Sequence, residues 1–294
     1  MDPGRAARLR LLLAAALFST GGAAIKACEL TPWQVASFRS GLGALAILWL
    51  SPDARRGWSL RTPLVGVAYA GTVLLFALAN RMTTSANAIF LQSTAPLYLL
   101  LVGPLLLHEP LRRADFAFMV SLAVGMALFF VGAEDPRATA PDPVRGNVLA
   151  LASGLTWAFT IAGLRWIAKA GGSAAAATVA GNAIGCVVAL PFALPVVAGG
   201  ARDWAVLGFL GVVQIGVSYA LLTRSSRHVP ALEATLLLLL EPVLNPLWAW
   251  AVHGEQPGPW SIAGGAVILF ATLARALARR RPSAPEREDA PASS

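Results

Sequence analysis

Apolar residues along this chain come in long blocks, and the polar ones are confined to short stretches between them. Ten blocks stand out, at roughly 9–27, 33–50, 63–80, 87–107, 114–133, 147–168, 174–198, 204–223, 230–252 and 259–278. Each is about as long as an α-helix that crosses ~30 Å of hydrocarbon. The pattern therefore predicts ten transmembrane helices. Thr31-Pro32, Thr62-Pro63 and Gly258-Pro259 stand at block starts, where a capping residue followed by proline favours helix entry. Trp33, Trp204 and Trp260 fall at block ends, where an indole prefers the headgroup zone.

Composition agrees. The 294 residues are 56% hydrophobic and 13% charged, with a mean hydropathy of +0.65. A soluble domain carries about a quarter charged residues. The net charge of +8 would raise the question of nucleic acid, but the cations lie between apolar blocks, with no basic stripe interleaved with aromatics. They read as the loops of a membrane protein. Cys28 and Cys186 lie in or beside apolar blocks and read as small packing residues. Arg5, Arg8 and Arg10 before the first block resemble a signal sequence, but further blocks follow at once, so a retained signal-anchor is expected.

Charge also orients the chain. With the N-terminus in the cytoplasm, seventeen Lys and Arg residues fall on the inner side and five on the outer; Arg39 lies within a block. That bias predicts a multi-pass protein of the cytoplasmic membrane with both termini inside. The Pro- and Asp-rich stretch 134–146 reads as an extramembrane linker at mid-chain, and 279–294 as a disordered cytoplasmic tail.

Sliding the sequence on itself by 146 residues brings Arg81 onto Arg227, Ala88 onto Ala234, Pro96 onto Pro242 and Glu109 onto Glu255. Residues 1–133 and 147–278 thus read as two repeats of five blocks each. Five is odd, so the second repeat enters the membrane from the opposite side. The expected fold is an all-α integral membrane protein of ten transmembrane helices, built as two inverted five-helix repeats. Such repeats recur in secondary transporters, because two halves of opposite orientation can exchange conformations and open to either side.

The residues that carry this pattern resemble a known family. EPVLNPLWAWAVHGE (241–255) with Gly264-Gly265, its counterpart APLYLLLVGPLLLHE (95–109), LFSTGGAAIKA (17–27), SFRSGLGALAIL (37–48) and Trp157 in GLTWAF are similar to the EamA family of the drug/metabolite transporter superfamily. In the first block that family often has Trp-Gly, where this chain has Phe18-Ser19. The resemblance implies ten helices, a five-plus-five inverted repeat, and export or uptake of a small metabolite; the solute expected here is an amino acid or a related compound.

Polar groups at membrane depth are costly and need a reason. Arg39 reads either as an anchor for an anionic group or as a structural partner of Glu233, Glu241 or a carbonyl. Glu233, Glu241 and Asn245 fall at about 0°, 80° and 120° around one helix, a single face that also holds Trp248. Glu233 stands near a helix start and suits capping; Glu241 is deeper, suits the translocation path, and is the candidate for a coupling proton. Asn87 and Gln92 hold the matching block of the first repeat. Trp157 and Tyr219 lie mid-block and suit a cavity wall. Pro96, Pro242 and Pro246 predict mid-helix kinks, as hinges or as static bends. Glu109 and Glu255 read as structural, closing helix ends. Gly181 and Gly185 form a GxxxG suited to close helix approach.

No HExxH, CxxC or Gly-rich phosphate loop occurs, and His108, His228 and His253 are scattered, so no metal or cofactor is expected. The expected partners are a small solute, membrane lipid and a coupling proton. A membrane-embedded enzyme acting on a lipid or lipid-linked substrate is the rival class. A scaffold or receptor is a third class, which the internal repeat disfavours.

Overall fold

The structure, a computed structural model, describes residues 3–106, 113–131, 135–197, 199–225, 229 and 231–278. Glu109, His108, Arg227, His228 and the tail 279–294 lie outside the described residues. Among those described, the chain is helical, and an isolated bridge between Arg137 and Ala140 stands in the mid-chain linker.

The helices are α1 (Pro3–Ser19), α2 (Gly21–Lys26), α3 (Pro32–Leu50), α4 (Arg61–Met82), α5 (Ser85–Gln92), α6 (Ala95–Leu106), α7 (Arg113–Val131), α8 (Pro143–Lys169), α9 (Ala174–Ala193), α10 (Ala201–Gly208), α11 (Ser218–Ser225), α12 (Ala231–Leu238), α13 (Leu240–His253) and α14 (Pro259–Ala278). Seven stretches among the described residues are long and apolar enough to cross a membrane: Gly4–Lys26, Arg61–Met82, Pro143–Lys169, Ala174–Ala193, Ala201–Ser225, Leu236–His253 and Pro259–Ala278. Three of the ten expected spans fall short of that measure. Helix α3 carries buried Gln34, Ser37, Arg39 and Ser40, which dilute its apolar character. The fourth block is divided between α5 and α6, and Asp115–Val131 is apolar but shorter.

Local chemistry explains the starts. Thr31 and Gln34 form a reciprocal capping box ahead of Pro32. Thr84, Asp142 and Ser173 accept the backbone N–H three residues on and cap α5, α8 and α9. Thr62 does not cap α4 as its sequence suggests. The helix already begins at Arg61, and the Thr62 hydroxyl accepts from the Ser59 N–H, fixing the entering turn. Helix α13 ends at Gly254, whose φ of 65° is open to a residue without Cβ.

Several blocks that read as continuous helices are interrupted. Ser19 and Thr20 hydroxyls donate to the Ala16 and Leu17 carbonyls, competing with the helix where α1 gives way to α2. The α5–α6 and α12–α13 junctions tighten into i→i−3 bonds, Thr94 to Leu91 and Leu239 to Leu236. Each precedes a proline whose missing N–H and ring disfavour the turn before it. Pro96 and Pro242 therefore occupy the first turn of α6 and α13 rather than a bend in mid-helix, and Pro246 lies inside α13 without breaking it. The eighth block carries a π-helical segment, Phe209–Val217, between α10 and α11.

Helix α4 packs on α8 and α9, α3 on α9 and the π segment, and α7 on α14. Small residues permit these approaches. A Cβ on Gly181 would meet the Tyr69 side chain at 2.6 Å, so the GxxxG lets α9 close on α4. The polarity is inverted relative to a soluble protein. Asn80, Ser85, Asn182 and Asn245 are wholly buried, whereas Leu64, Val67, Val131, Val187, Phe192 and Phe270 project outward at 59% to 70% exposure. Lipid is the solvent that suits such an exterior.

The α7–α14 crossing is a sharp test. A Cβ on Gly264 would lie 2.7 Å from the Gly125 carbonyl oxygen, whereas one on Gly208 meets nothing within 4 Å. Gly264→Val is expected to cost on the order of 1–3 kcal/mol, read as a lowered thermal midpoint of the detergent-purified protein, with Gly208→Ala far milder. An unchanged midpoint for Gly264→Val would show that the crossing does not depend on this approach.

Candidate functional site

Polar groups inside the bundle gather in three layers. At one end lies a buried ion pair. Lys26, the last residue of α2, meets Glu255 at 2.6 Å, with side chains 4% and 1% exposed. The Lys26 ammonium also donates to the Thr83 carbonyl at 2.8 Å and to the Thr139 carbonyl. The other Glu255 oxygen accepts the Ser85 N–H at 2.6 Å, at the start of α5. Arg81 donates to the Ile25, Cys28 and Leu30 carbonyls, and His253 Nε2 lies 2.8 Å from the Ala23 carbonyl oxygen. One knot of charge thus joins α2, α4, α5 and the turn after α13. Cys28 sits beside it, 1% exposed, and burial pushes its thiol pKa up. Both cysteines are free.

Below the knot, Gly22 brings three side chains together. A Cβ there would meet Asn245 Oδ1 and Ser85 Oγ at 2.9 Å and Asn80 Oδ1 at 3.0 Å. These oxygens are buried and without hydrogen-bond partners, as is Asn245 Nδ2. Only glycine leaves room for the convergence.

The third layer is a charged, aromatic cluster near mid-bundle. Arg39 projects from α3 and is 3% exposed, and its Nε and Nη1 have no hydrogen-bond partner. Tyr69 of α4 and Tyr219 of α11 are the groups within electrostatic reach of it. The Tyr69 ring stands edge-on to Tyr219 at 5.8 Å, and Phe18 of α1 packs on the other side of Tyr219 at 5.1 Å. The Tyr69 hydroxyl lies within reach of Tyr219 and Asn182. Glu241, half-buried on α13, approaches Tyr219 and forms no ion pair among the described residues. A cation and a carboxylate therefore flank one aromatic wall without neutralising each other.

The residues singled out by sequence divide between these layers and the framework. Arg39, Tyr219 and Glu241 share this cluster, and Asn245 lies in the layer above it. Asn87 is committed elsewhere: its Nδ2 donates to Thr83 Oγ1 and to Asn147 Oδ1, tying α5 to α8. Gln92 donates to Ser153 Oγ of α8 at 2.7 Å. Trp157 is half-buried on α8 and makes no hydrogen bond among the described residues. Arg39 pairs with neither glutamate proposed for it. Glu233 is taken by Arg8 at 2.6 Å, at the end of the bundle opposite Lys26. The single face drawn through Glu233, Glu241 and Asn245 is divided, because the α12–α13 junction separates Glu233 from the other two. Trp248 donates to Ser19 Oγ, which joins α13 to α1.

Sequence reasoning missed Tyr69, Asn182, Ser85 and Asn80. Tyr69 and Asn182 are single polar residues in apolar blocks, Asn80 closes a block, and Ser85 stands in the polar stretch between two blocks. The Lys26–Glu255 pair joins residues far apart in the chain, and no local pattern marks it.

The model of the EamA-like transporter family matches residues 7–131 and 144–274. Among characterised proteins, the chain is similar to the pseudopaline exporter CntI of Pseudomonas aeruginosa strain UCBPP-PA14, at 26% identity over 90% of this chain and 94% of the exporter. The protein of the same name from strain PAO1 is also 26% identical, over 90% and 94% of the two chains. A solved crystal structure shares the fold with a TM-score of 0.63 at 19% identity, covering 94% of this chain and 99% of that one. The chain is a multi-pass membrane protein that belongs to the EamA-like transporter family.

Proposed function

We propose that this protein is a secondary transporter that moves a small metabolite, an amino acid or related solute, across the cytoplasmic membrane by alternating access. In this reading ten transmembrane helices form two inverted five-helix repeats, with both termini cytoplasmic. The family model matches two stretches of similar length, one on either side of the linker. The packing favours the same reading. If α1–α2, α3, α4, α5–α6 and α7 correspond in order to α8, α9, the α10–α11 block, α12–α13 and α14, then the contact of α4 with α8 maps onto that of α1 with α11. Likewise α4 on α9 maps onto α3 on the π segment, and α3–α9, α5–α13 and α7–α14 map onto themselves. The name of the relatives, exporter, speaks for outward flux.

The observation that carries the proposal is the buried cluster of Arg39, Tyr69, Tyr219 and Glu241 below a closed end. With the N-terminus inside, the Lys26–Glu255 knot faces outward. It is then an outer gate in its closed state, and the Arg8–Glu233 pair, with side chains 50% and 23% exposed, belongs to the looser cytoplasmic end. A buried ion pair contributes little net stability, but removing one partner strands the other at a cost of roughly 3–5 kcal/mol. The pair is therefore suited to a two-state element.

The direct test is solute flux in proteoliposomes made from the purified chain alone. Turnover of a lipid or lipid-linked substrate without flux of any metabolite would replace the carrier with an enzyme. Glu241→Gln is expected to insert normally and to lose or uncouple transport; wild-type flux with unchanged pH dependence would remove Glu241 from the mechanism. The gate has its own reporter in Cys28. In a Cys186→Ala background, a membrane-impermeant maleimide added from outside should label Cys28 slowly in the wild type. Glu255→Gln should label several-fold faster, because opening restores both access and thiolate. Equal rates would mean that the knot does not hold the outer end shut.

A further inference from the structure

We infer that the transported solute carries a carboxylate, and that Arg39 is the residue that receives it. This rests on the transport reading above and names the class of its cargo. Arg39 is 3% exposed, in the middle of α3, yet Nε and Nη1 find no acceptor. A buried guanidinium left so is costly, and proteins ordinarily pair it. Among the described residues, the interior carboxylates are engaged elsewhere or stand apart. Glu233 binds Arg8, Glu255 binds Lys26, and Asp115 binds Arg275. Asp203 accepts the Glu29 and Gly200 N–H groups. Glu241 approaches Tyr219 but forms no ion pair with Arg39. Among the described residues none supplies the complement to Arg39, and a solute from outside the chain can.

The surroundings fit that occupant. Two tyrosine hydroxyls lie within electrostatic reach of Arg39, neutral donors that can share an incoming anion without repelling it. Ser40 Oγ and Asn182 Oδ1, on the packed faces of α3 and α9, are likewise buried and unpartnered. A planar guanidinium is the side chain best matched to a carboxylate, through parallel charge-assisted hydrogen bonds. Glu241, across the Tyr219 ring, then suits a cationic or N–H-bearing group on the same solute.

The test separates a binding role from a structural one. Thermal unfolding of the detergent-purified protein is followed with acetate, succinate, citrate, glycine and glutamate, against chloride, glycerol and inorganic phosphate at matched ionic strength. At least one carboxylate should raise the wild-type midpoint, and Arg39→Gln should weaken that effect by about tenfold or more, as loss of a charge-assisted bond implies. Arg39→Lys should recover part of it. Without ligand, Arg39→Gln should be no less stable than the wild type, because it removes an unpaired buried charge. A large loss of stability in Arg39→Gln would make Arg39 a structural residue and overturn the inference. So would a wild type that responds to no carboxylate, or to phosphate alone. Carboxylate binding with no flux in proteoliposomes would uphold the site and sink the carrier. Flux of neutral solutes that Arg39→Gln leaves unchanged would do the reverse.

Discussion

Lipid offers no hydrogen bonds, so every polar group in this bundle must find its partner in the protein or remain without one. That constraint divides the interior into two kinds of site. Asn87, Asn147 and Thr83 bond to one another, and Asn147 reaches on to the Phe129 carbonyl. Gln92 and Ser153 form a second chain that ends on the Thr72 carbonyl. These networks join α4, α5 and α8 into a framework with little reason to move. The knot around Lys26 and Glu255 is also densely bonded but differs in kind, because an ion pair stands at its centre. Charges that leave one another as a pair regain hydration, whereas amides buried within a helix contact do not.

Much of the fold was legible in the sequence, because the signal for a membrane helix is long and composition alone carries it. Block positions agree with the helices to within a few residues at α3, α4, α8, α9 and α14. The interruptions were less legible. Prolines 96 and 242 announced a disturbance, but the tightened turn falls before each proline rather than at it, since it is the preceding turn that loses its donor. The π segment had no readable mark beyond Gly211 and Gly216. Their reason is tertiary: Leu42 and Ala46 of α3 press where a Cβ would stand, at 2.4 and 2.5 Å.

The candidate site was legible residue by residue but not as a constellation. Arg39, Tyr219 and Glu241 stood out as polar or aromatic groups at membrane depth. Helical periodicity then grouped Glu241 with Glu233, its neighbour around an unbroken helix, and the α12–α13 junction undid that grouping. Periodicity speaks only within one helix. That Tyr69 lies beside Tyr219, or that Lys26 meets Glu255, depends on how helices far apart in the chain cross, and the crossings are set by glycines that look alike in sequence. Of the glycines at these contacts, Gly22 sits against three polar oxygens, whereas Gly264 and Gly265 sit against phenylalanines and backbone.

The contrast between a satisfied end and an unsatisfied centre has a physical logic. A carrier must bind its solute well enough to collect it and weakly enough to release it. A site already satisfied by the protein has nothing to offer, and one lined only by apolar groups cannot choose. Arg39, Ser40 and Asn182 hold unpartnered atoms, as do Asn80, Ser85 and Asn245 in the layer above them. The framework of α4, α5 and α8 supplies the stability that such a centre gives up. Because Arg39 and Ser40 lie on α3 and Asn182 on α9, helices that correspond across the proposed repeats, a solute seated there touches both halves at once. Its release then requires that α3 and α9 part at one end of the bundle while the other end stays closed.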